Sequence, residues 1–145
     1  SVPRETQDVL ELLAYLGLEK VAILGTSRGG LIAMVLAATA KDKLLGVCLN
    51  DVGPELNISG LAKIVDYLGV NPDAKTMAEF VAQRSQMPGF ANVPAERWAQ
   101  EATHTYVETA DGVQVNYDPK LRDAVIEGMA SGDAPDLWPL FGAIA

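Results

Sequence analysis

Ser27 has the neighbours that a catalytic nucleophile needs. Residues 25–29 read G-T-S-R-G, the G-x-S-x-G pattern of a nucleophile elbow, in which a strand delivers a serine onto a sharp turn before a helix. The apolar run Val21–Leu24 precedes the motif and an alanine-rich helical pattern follows it. The glycines are expected to be needed sterically, because a Cβ beside the serine would clash with the adjacent strand and helix. We therefore predict a nucleophilic serine; the alternative is an incidental strand-to-helix turn.

A serine hydroxyl is a weak nucleophile unless a general base, normally a histidine held by a carboxylate, takes its proton. The backbone N–H of Arg28, at the start of the following helix, is predicted to donate to the oxyanion that forms when the serine attacks a carbonyl. The Arg28 side chain could line a pocket or pair with a carboxylate. His104 is the only histidine, and an ordinary residue of a second-half helix is the favoured interpretation of it.

Asp51 is a carboxylate that could assist Ser27. It follows a second apolar run, Leu44–Leu49, and sites in parallel sheets collect at the carboxyl edge of the strands, where Ser27 also lies. Asp51 could orient a histidine, but the composition of residues 50–54 favours a turn-capping role. Cys48, within the same apolar run, is predicted to be a core residue.

The elements that must position these residues alternate in type. An amphipathic helix is predicted before Gly17, because apolar residues recur at helical spacing: Val9, Leu12, Leu13 and Leu16. Val21–Leu24 and Leu44–Leu49 predict two strands buried on both faces of a parallel sheet, with the helix Leu31–Ala40 between them. Together these segments predict a βαβ unit with a leading helix.

The second half of the chain changes character at Pro54, beyond which the segments are helical with polar joints. A T-x-x-E capping box at Thr76 predicts the start of one helix. Pro94 and Pro119 predict the starts of two more. Asp111-Gly112 predicts the turn of a β-hairpin.

Composition excludes several classes of partner. The 145 residues carry 11 Lys and Arg against 19 Asp and Glu, a net charge of -8, which repels nucleic-acid phosphates and anionic lipids. The longest apolar stretch is far short of the roughly 20 residues that span a membrane. One cysteine and one histidine make no internal disulfide and no recognisable zinc set. No metal or cofactor is predicted, and a reducing cytoplasm is the expected location.

These motifs resemble the centre of an α/β-hydrolase, with the elbow after Val21–Leu24 and L-N-D-V-G-P at Leu49–Pro54. The following stretch, including N-Y-D-P at 116–119, resembles the cap of that family, and Asp136–Phe141 resembles the helix that returns to the core. The resemblance implies an α/β fold: a fragment of a doubly wound parallel sheet, with two core strands and a mainly helical cap. The implied domains are a partial core at 1–53, the cap at 54–135 and the returning helix at 136–145.

The same resemblance implies that part of the active site lies outside these residues. In the family a second oxyanion donor follows the third strand, the triad acid usually follows the seventh and the histidine follows the eighth. None of those segments is recognisable here, so the chain looks like an internal fragment, and only Ser27 and the Arg28 N–H have a match. In a minority, dehalogenases among them, the acid follows the sixth strand, at Asn50 or Asp51 here. Those enzymes use an aspartate nucleophile, and Ser27 argues against their reaction.

The resemblance therefore predicts a serine-dependent hydrolase of a small molecule, acting on an ester, lactone or similar acyl bond. A carbon–carbon bond hydrolase and a non-catalytic ligand-binding relative remain alternatives. Without a general base the 145 residues alone are predicted to be nearly inactive. Two core strands leave sheet edges and an apolar face uncovered, so self-association is also predicted.

Overall fold

Two parallel strands form the sheet that carries Ser27. The computed structural model describes residues 1–86, 92–130 and 136–145. Strand β1 (Val21–Thr26) pairs with β2 (Leu44–Asn50), and the pairing ends with Thr26 opposite Asn50. Helix α2 (Arg28–Thr39) and one 3-10 turn connect the strands. The predicted strand–helix–strand unit is confirmed.

One face of this sheet is covered and the other is open. Helix α2 contacts both strands and buries a row of side chains, namely Ala33, Met34, Leu36 and Ala37. Side chains alternate along a strand, and those on the opposite face are exposed: Leu24 by 71%, and its register partner Cys48 as well. Two predictions are therefore wrong for the described chain, because its helices cover one face only. The strands are not buried on both faces, and Cys48 is not a core residue.

Two further helices pack on α2. Helix α1 (Val2–Tyr15) is capped by Leu16 and followed by Gly17, whose φ of 67° places it in the left-handed region. The N–H of Leu18 then reaches back to the carbonyl of Leu13 at 2.9 Å, a bond that closes the helix end. The predicted end of the helix is confirmed. Helix α7 (Trp138–Gly142) contacts α2 as well.

The rest of the described chain contains short helices and one hairpin. Its elements are α3 (Ile58–Val65), α4 (Met77–Ser85), α5 (Ala95–Thr105), β3 (Tyr106–Thr109), β4 (Gly112–Val115) and α6 (Leu121–Ala130). The two strands are antiparallel. Phe80, Tyr106 and Val113 are buried together, with the two ring centroids 4.4 Å apart. These residues join α4 to the hairpin.

Local sequence signals set several of these boundaries. The Oγ1 of Thr76 accepts the N–H of Glu79 at 3.2 Å, so the predicted helix start at Thr76 is confirmed. The return bond differs from that of a capping box, because Oε2 of Glu79 accepts the N–H of Lys75, one residue before the cap, at 2.8 Å. The hairpin is confirmed as well. Its two-residue turn is Ala110-Asp111, one residue earlier than predicted, and Gly112 begins the returning strand.

The described residues divide into two compact units. One contains Ser1–Asn57 with the carboxyl-terminal residues from 136 onward, and the other contains the residues from Ile58 to 130. The domain boundary placed after residue 53 remains a prediction, and the one placed after residue 135 borders 131–135, which lie outside the described residues. No helix within the described ranges is both long and apolar enough to span a bilayer.

Candidate active site

Ser27 occupies a strained turn between β1 and α2. Its φ of 49° and ψ of -115° lie outside the regions that L-residues commonly occupy. The turn is held at both ends. The N–H of Ser27 donates to the carbonyl of Asn50 at 3.1 Å, and its own carbonyl accepts the N–H of Gly30 at 2.9 Å. The side chain is exposed at the carboxyl end of the strand, which is the arrangement of a nucleophile elbow.

Two glycines permit this turn. A Cβ on Gly25 would lie 2.7 Å from the carbonyl oxygen of Gly29, and a Cβ on Gly30 would lie 2.3 Å from Cγ1 of Val52. A Cβ on Gly29 would meet nothing within 4 Å among the described residues. The expected steric need is thus confirmed for Gly25. For Gly29, the second glycine of the motif, this expectation is wrong. The residue that lies close to Val52, in the chain after β2, is the next one, Gly30.

Arg28 brings a backbone donor to the turn. It is the first residue of α2, so its N–H has no carbonyl of the same helix within reach. Such a group at a helix N-terminus is suited to an anion or a developing oxyanion. This is the geometry on which the oxyanion hypothesis depends.

The Arg28 side chain forms an ion pair with Glu5 of α1. Its Nε and Nη2 donate to the two carboxylate oxygens of Glu5, each at 2.7 Å. The hydrogen bonds from Arg28 hold the pKa of the Glu5 carboxyl below its ordinary value, and the same contact raises the pKa of the Arg28 guanidinium. Of the two roles left open by the sequence, the carboxylate pair is the one that forms.

Asp51 is the second strained residue of this sheet edge. It follows β2, and its φ is 53°. Thr26 and Asn50 are register partners, and the Asn50 side chain donates to Thr26 Oγ1 at 3.2 Å. Ser27 follows Thr26 and Asp51 follows Asn50, so both residues come directly after the last pair of the two strands. The favoured turn-capping role of Asp51 is wrong for the described part of the chain, where its carboxylate makes no hydrogen bond or ion pair.

His104 belongs to the other unit. It lies in the last turn of α5, and its side chain is exposed. Its carbonyl accepts a hydrogen bond from the Asn116 amide at 3.0 Å. This position agrees with the interpretation of His104 as an ordinary helix residue. Across residues 1–86, 92–130 and 136–145 no group of three His, Cys, Asp or Glu side chains is placed to hold a metal ion.

The second unit contains an aromatic cavity that the sequence did not reveal. Its volume is about 390 Å³. The guanidinium carbon of Arg84 lies 5.2 Å from the ring centroid of Tyr67 and 5.4 Å from that of Phe80, and Nη2 donates to the hydroxyl of Tyr106 at 3.1 Å. The residues that could have signalled it are spread along the sequence from Asp66 to Tyr106. Ser27 is not among the lining residues.

Comparison with known proteins agrees with this geometry. Residues 6–100 match the sequence profile of the alpha/beta hydrolase fold family. A 3-hydroxybutyrate-oligomer hydrolase of Cupriavidus necator is 38% identical over 152 residues, which cover 99% of this chain and 52% of that protein. The chain thus spans about half the length of this relative.

Solved structures give the same picture. An alpha/beta hydrolase from Novosphingobium aromaticivorans superposes with a TM-score of 0.82 at 31% identity, over 99% of this chain and 52% of its own. The E-2-(acetamidomethylene)succinate hydrolase superposes with a TM-score of 0.80 over 100% of this chain and 52% of its own, at 16% identity. That last likeness shows the fold alone. The two-stranded parallel sheet with its helices is therefore a part of a larger known fold.

Proposed function

Because this chain belongs to the α/β-hydrolase family, we propose that it carries the nucleophile half of a serine hydrolase that cleaves an ester. The observation that carries this proposal is the strained backbone of Ser27, with φ 49°, at the end of a parallel strand. Strain of this kind costs about 1–3 kcal/mol and persists where the surrounding structure fixes it. Gly25 and Gly30 leave the space that this turn needs.

The chemistry follows from the position of Ser27. Its Oγ attacks the carbonyl carbon of the ester, and the carbonyl electron pair moves onto the oxygen, where the Arg28 N–H donates to the oxyanion. The serine proton passes to a histidine outside residues 1–145. Collapse of the intermediate expels the alcohol, which takes that proton, and water then hydrolyses the acyl-serine by the same steps in reverse.

We assign Asp51 as a candidate for the carboxylate that orients this histidine. It lies at the same sheet edge as Ser27, and its carboxylate has no partner among the residues described. Its φ of 53° lies in the left-handed region, which aspartate tolerates better than most residues with a Cβ but which glycine enters more easily. The resemblance to the family favours instead an acid after the seventh strand. Asp51→Asn separates the two: loss of about 10⁴-fold in kcat supports Asp51, whereas near wild-type kcat supports the later acid.

The substrate class is proposed from the Cupriavidus relative, whose name states that it acts on 3-hydroxybutyrate oligomers. We propose that the bond cleaved here is likewise an ester between small hydroxy acids. A cytoplasmic location, and the absence of nucleic-acid or membrane partners, stay predictions that depend on the single cysteine and the charge of -8.

The test uses a longer protein that carries residues 1–145 together with the family's remaining core strands. We expect it to hydrolyse short 3-hydroxybutyrate oligomers and to be labelled by a fluorophosphonate. Ser27→Ala should abolish labelling and lower kcat by at least about 10⁴-fold. Ser85→Ala, which removes a hydroxyl bonded to the Ala82 carbonyl in α4, is the matched control and should retain both.

Failure to label with retained ligand binding would favour the non-catalytic alternative. Hydrolysis of a carbon–carbon bond in preference to any ester would favour the second alternative, a carbon–carbon bond hydrolase. Residues 1–145 alone should hydrolyse the ester at less than about one part in 10³ of the rate of the longer protein, because the proposed mechanism takes its general base from outside these residues. Turnover by this chain that Ser27→Ala abolishes would contradict that expectation and direct attention to His104.

We also propose that residues 1–145 alone self-associate. The support is the open side of the sheet, where Leu24 is 71% exposed, together with strands that have no second neighbour in the described chain. Exposed apolar area and unpaired strand edges both promote association. Sedimentation velocity should show species larger than a monomer, and Leu24→Lys should shift the profile toward monomer. A wild-type chain that sediments as a sharp monomer would contradict the proposal.

A further inference from the structure

We propose that Glu5 is a positioning residue for the elbow. Through its contact with Arg28 it holds the first turn of α2, and with that turn the backbone N–H that faces the oxyanion. The inference rests on the proposed function of Ser27 and of the Arg28 N–H. It adds a residue of α1, 22 positions before Ser27 in the sequence, to the machinery that aligns the nucleophile.

The contact between Glu5 and Arg28 fixes direction as well as distance. Two parallel hydrogen bonds of 2.7 Å join Nε to Oε2 and Nη2 to Oε1. Such a two-point guanidinium–carboxylate contact is directional, unlike the single-point contact of an ammonium. The side chains are 32% and 28% exposed, so solvent screens them less than it screens an ordinary surface pair. A shift of the Arg28 backbone must therefore be absorbed by the flexible stem of the side chain or weaken these two bonds.

The pair also resolves an electrostatic conflict. Arg28 is the first residue of α2, where the helix dipole disfavours a cation. Glu5 lies in the first turn of α1, where the dipole favours an anion. The contact therefore places the arginine charge against a carboxylate at the helix end where it is otherwise unfavourable. Without Glu5 the first turn of α2 would carry that uncompensated charge directly beside Ser27.

A second ion pair on α1 provides a matched control. Arg4 Nη2 lies 2.9 Å from Asp8 Oδ1, and the two side chains are 67% and 52% exposed. Both residues belong to α1 and are one helical turn apart, so this pair connects α1 to nothing else. Asp8→Asn and Glu5→Gln make the same change of charge in the same helix.

The kinetic experiment compares these two variants in a longer protein with esterase activity. Glu5→Gln should lower kcat about tenfold with KM within about twofold, because a misaligned oxyanion donor acts on the transition state rather than on substrate binding. Arg28→Lys should lower kcat by less, because lysine keeps the positive charge and loses only the two-point hydrogen bonding of the guanidinium. Asp8→Asn should leave both constants within about twofold. Unchanged kcat in Glu5→Gln, a change in KM alone, or a lower Tm with normal kcat would each overturn the proposal.

A second measurement does not depend on catalysis. Hydrogen exchange of the peptide that contains Ser27, Arg28 and Gly30 should become faster in Glu5→Gln and stay unchanged in Asp8→Asn. If the wild-type protein cleaves no ester, the proposed function fails, and the exchange measurement still decides whether Glu5 holds the turn. Unchanged exchange in Glu5→Gln would overturn the positioning role even in an active enzyme.

Discussion

Left-handed backbone occurs in both compact units, and among the described residues only the carboxyl edge of the parallel sheet places residues other than glycine in it. Gly17, after α1, is the left-handed glycine of the first unit. In the second unit the positions are Gly69 and Gly112, with φ of 69° and 121°. At the carboxyl edge of the parallel sheet they are Ser27 and Asp51, with φ of 49° and 53°. Glycine adopts this conformation without steric cost, whereas a residue with a Cβ does not.

The difference indicates what shaped each region. A Cβ on Gly112 would lie 2.8 Å from the Ala74 carbonyl oxygen, so packing alone explains why glycine is present there. Ser27 and Asp51 hold an unfavourable conformation although glycine would relieve it. Such positions cluster at functional sites, so the strained residues support the proposal that the carboxyl edge of the sheet carries the active site, whereas packing alone accounts for the glycine turns of the second unit.

The largest effect on stability is expected from Gly25→Ala. The new Cβ would lie 2.7 Å from backbone atoms of Gly29 and Gly30, and backbone cannot move aside cheaply. We expect a loss of about 2–3 kcal/mol in the free energy of unfolding, measured by urea denaturation. Gly29→Ala is the control, because its Cβ would have open space; its stability should be unchanged or higher by up to about 1 kcal/mol. Equal losses in both variants would show that the steric asymmetry of the elbow is wrong.

A smaller effect of opposite sign is expected at the strained residues themselves. Ser27→Gly and Asp51→Gly should each raise the free energy of unfolding by about 1 kcal/mol, since glycine relieves the positive φ. Gly112→Ala adds a Cβ at a residue of positive φ in the second unit, so this variant should lower the free energy of unfolding. Thermal unfolding of the three variants measures this. A loss of stability in Ser27→Gly would contradict the expected relief of strain, because the serine would then be contributing to the fold.

The smallest effect is the pH dependence of the Glu5–Arg28 pair. Arg28 holds the folded-state pKa of Glu5 below its ordinary value of 4.5, so the ionised carboxylate favours the folded state. Its contribution, about 0.5–1 kcal/mol, is complete above pH 4.5 and is lost as the pH falls through the lower folded-state value. The free energy of unfolding of wild type should exceed that of Glu5→Gln above pH 4.5, and this difference should shrink as the pH falls further. The difference between wild type and Asp8→Asn should be smaller. A difference that persists at the lowest pH would contradict this origin.

Local patterns predicted the elements well where the signal lies within one segment. The end of α1 before Gly17, the helix start at Thr76 and the strand–helix–strand order around Ser27 all depend on residues a few positions apart. Side-chain burial was predicted poorly in the sheet. An apolar run such as Leu44–Leu49 is compatible with burial on one face or on both, and the number of covering helices decides which.

In the candidate site, too, features that depend on one short segment were predictable, and contacts between distant segments were not. The motif singled out Ser27 as the candidate nucleophile, and the position of Arg28 after it singled out the candidate backbone donor. Neither the identity of the crowded glycine nor the partner of the Arg28 guanidinium could be predicted. Gly30 is crowded by Val52, 22 positions later, and Arg28 pairs with Glu5, 23 positions earlier. No local pattern records contacts at that distance.

The sequence by itself determined the family and the order of the elements that flank Ser27, and it supplied the hypothesis of a serine nucleophile, because a strained turn between a strand and a helix needs a short, recognisable set of residues. Tertiary structure alone decided which glycine the elbow needs, that Asp51 shares the strain of Ser27, and that Glu5 reaches Arg28. These features arise where separate segments meet in space. Their geometry depends on the register of two strands and the packing of two helices, which the order of residues specifies only through the fold.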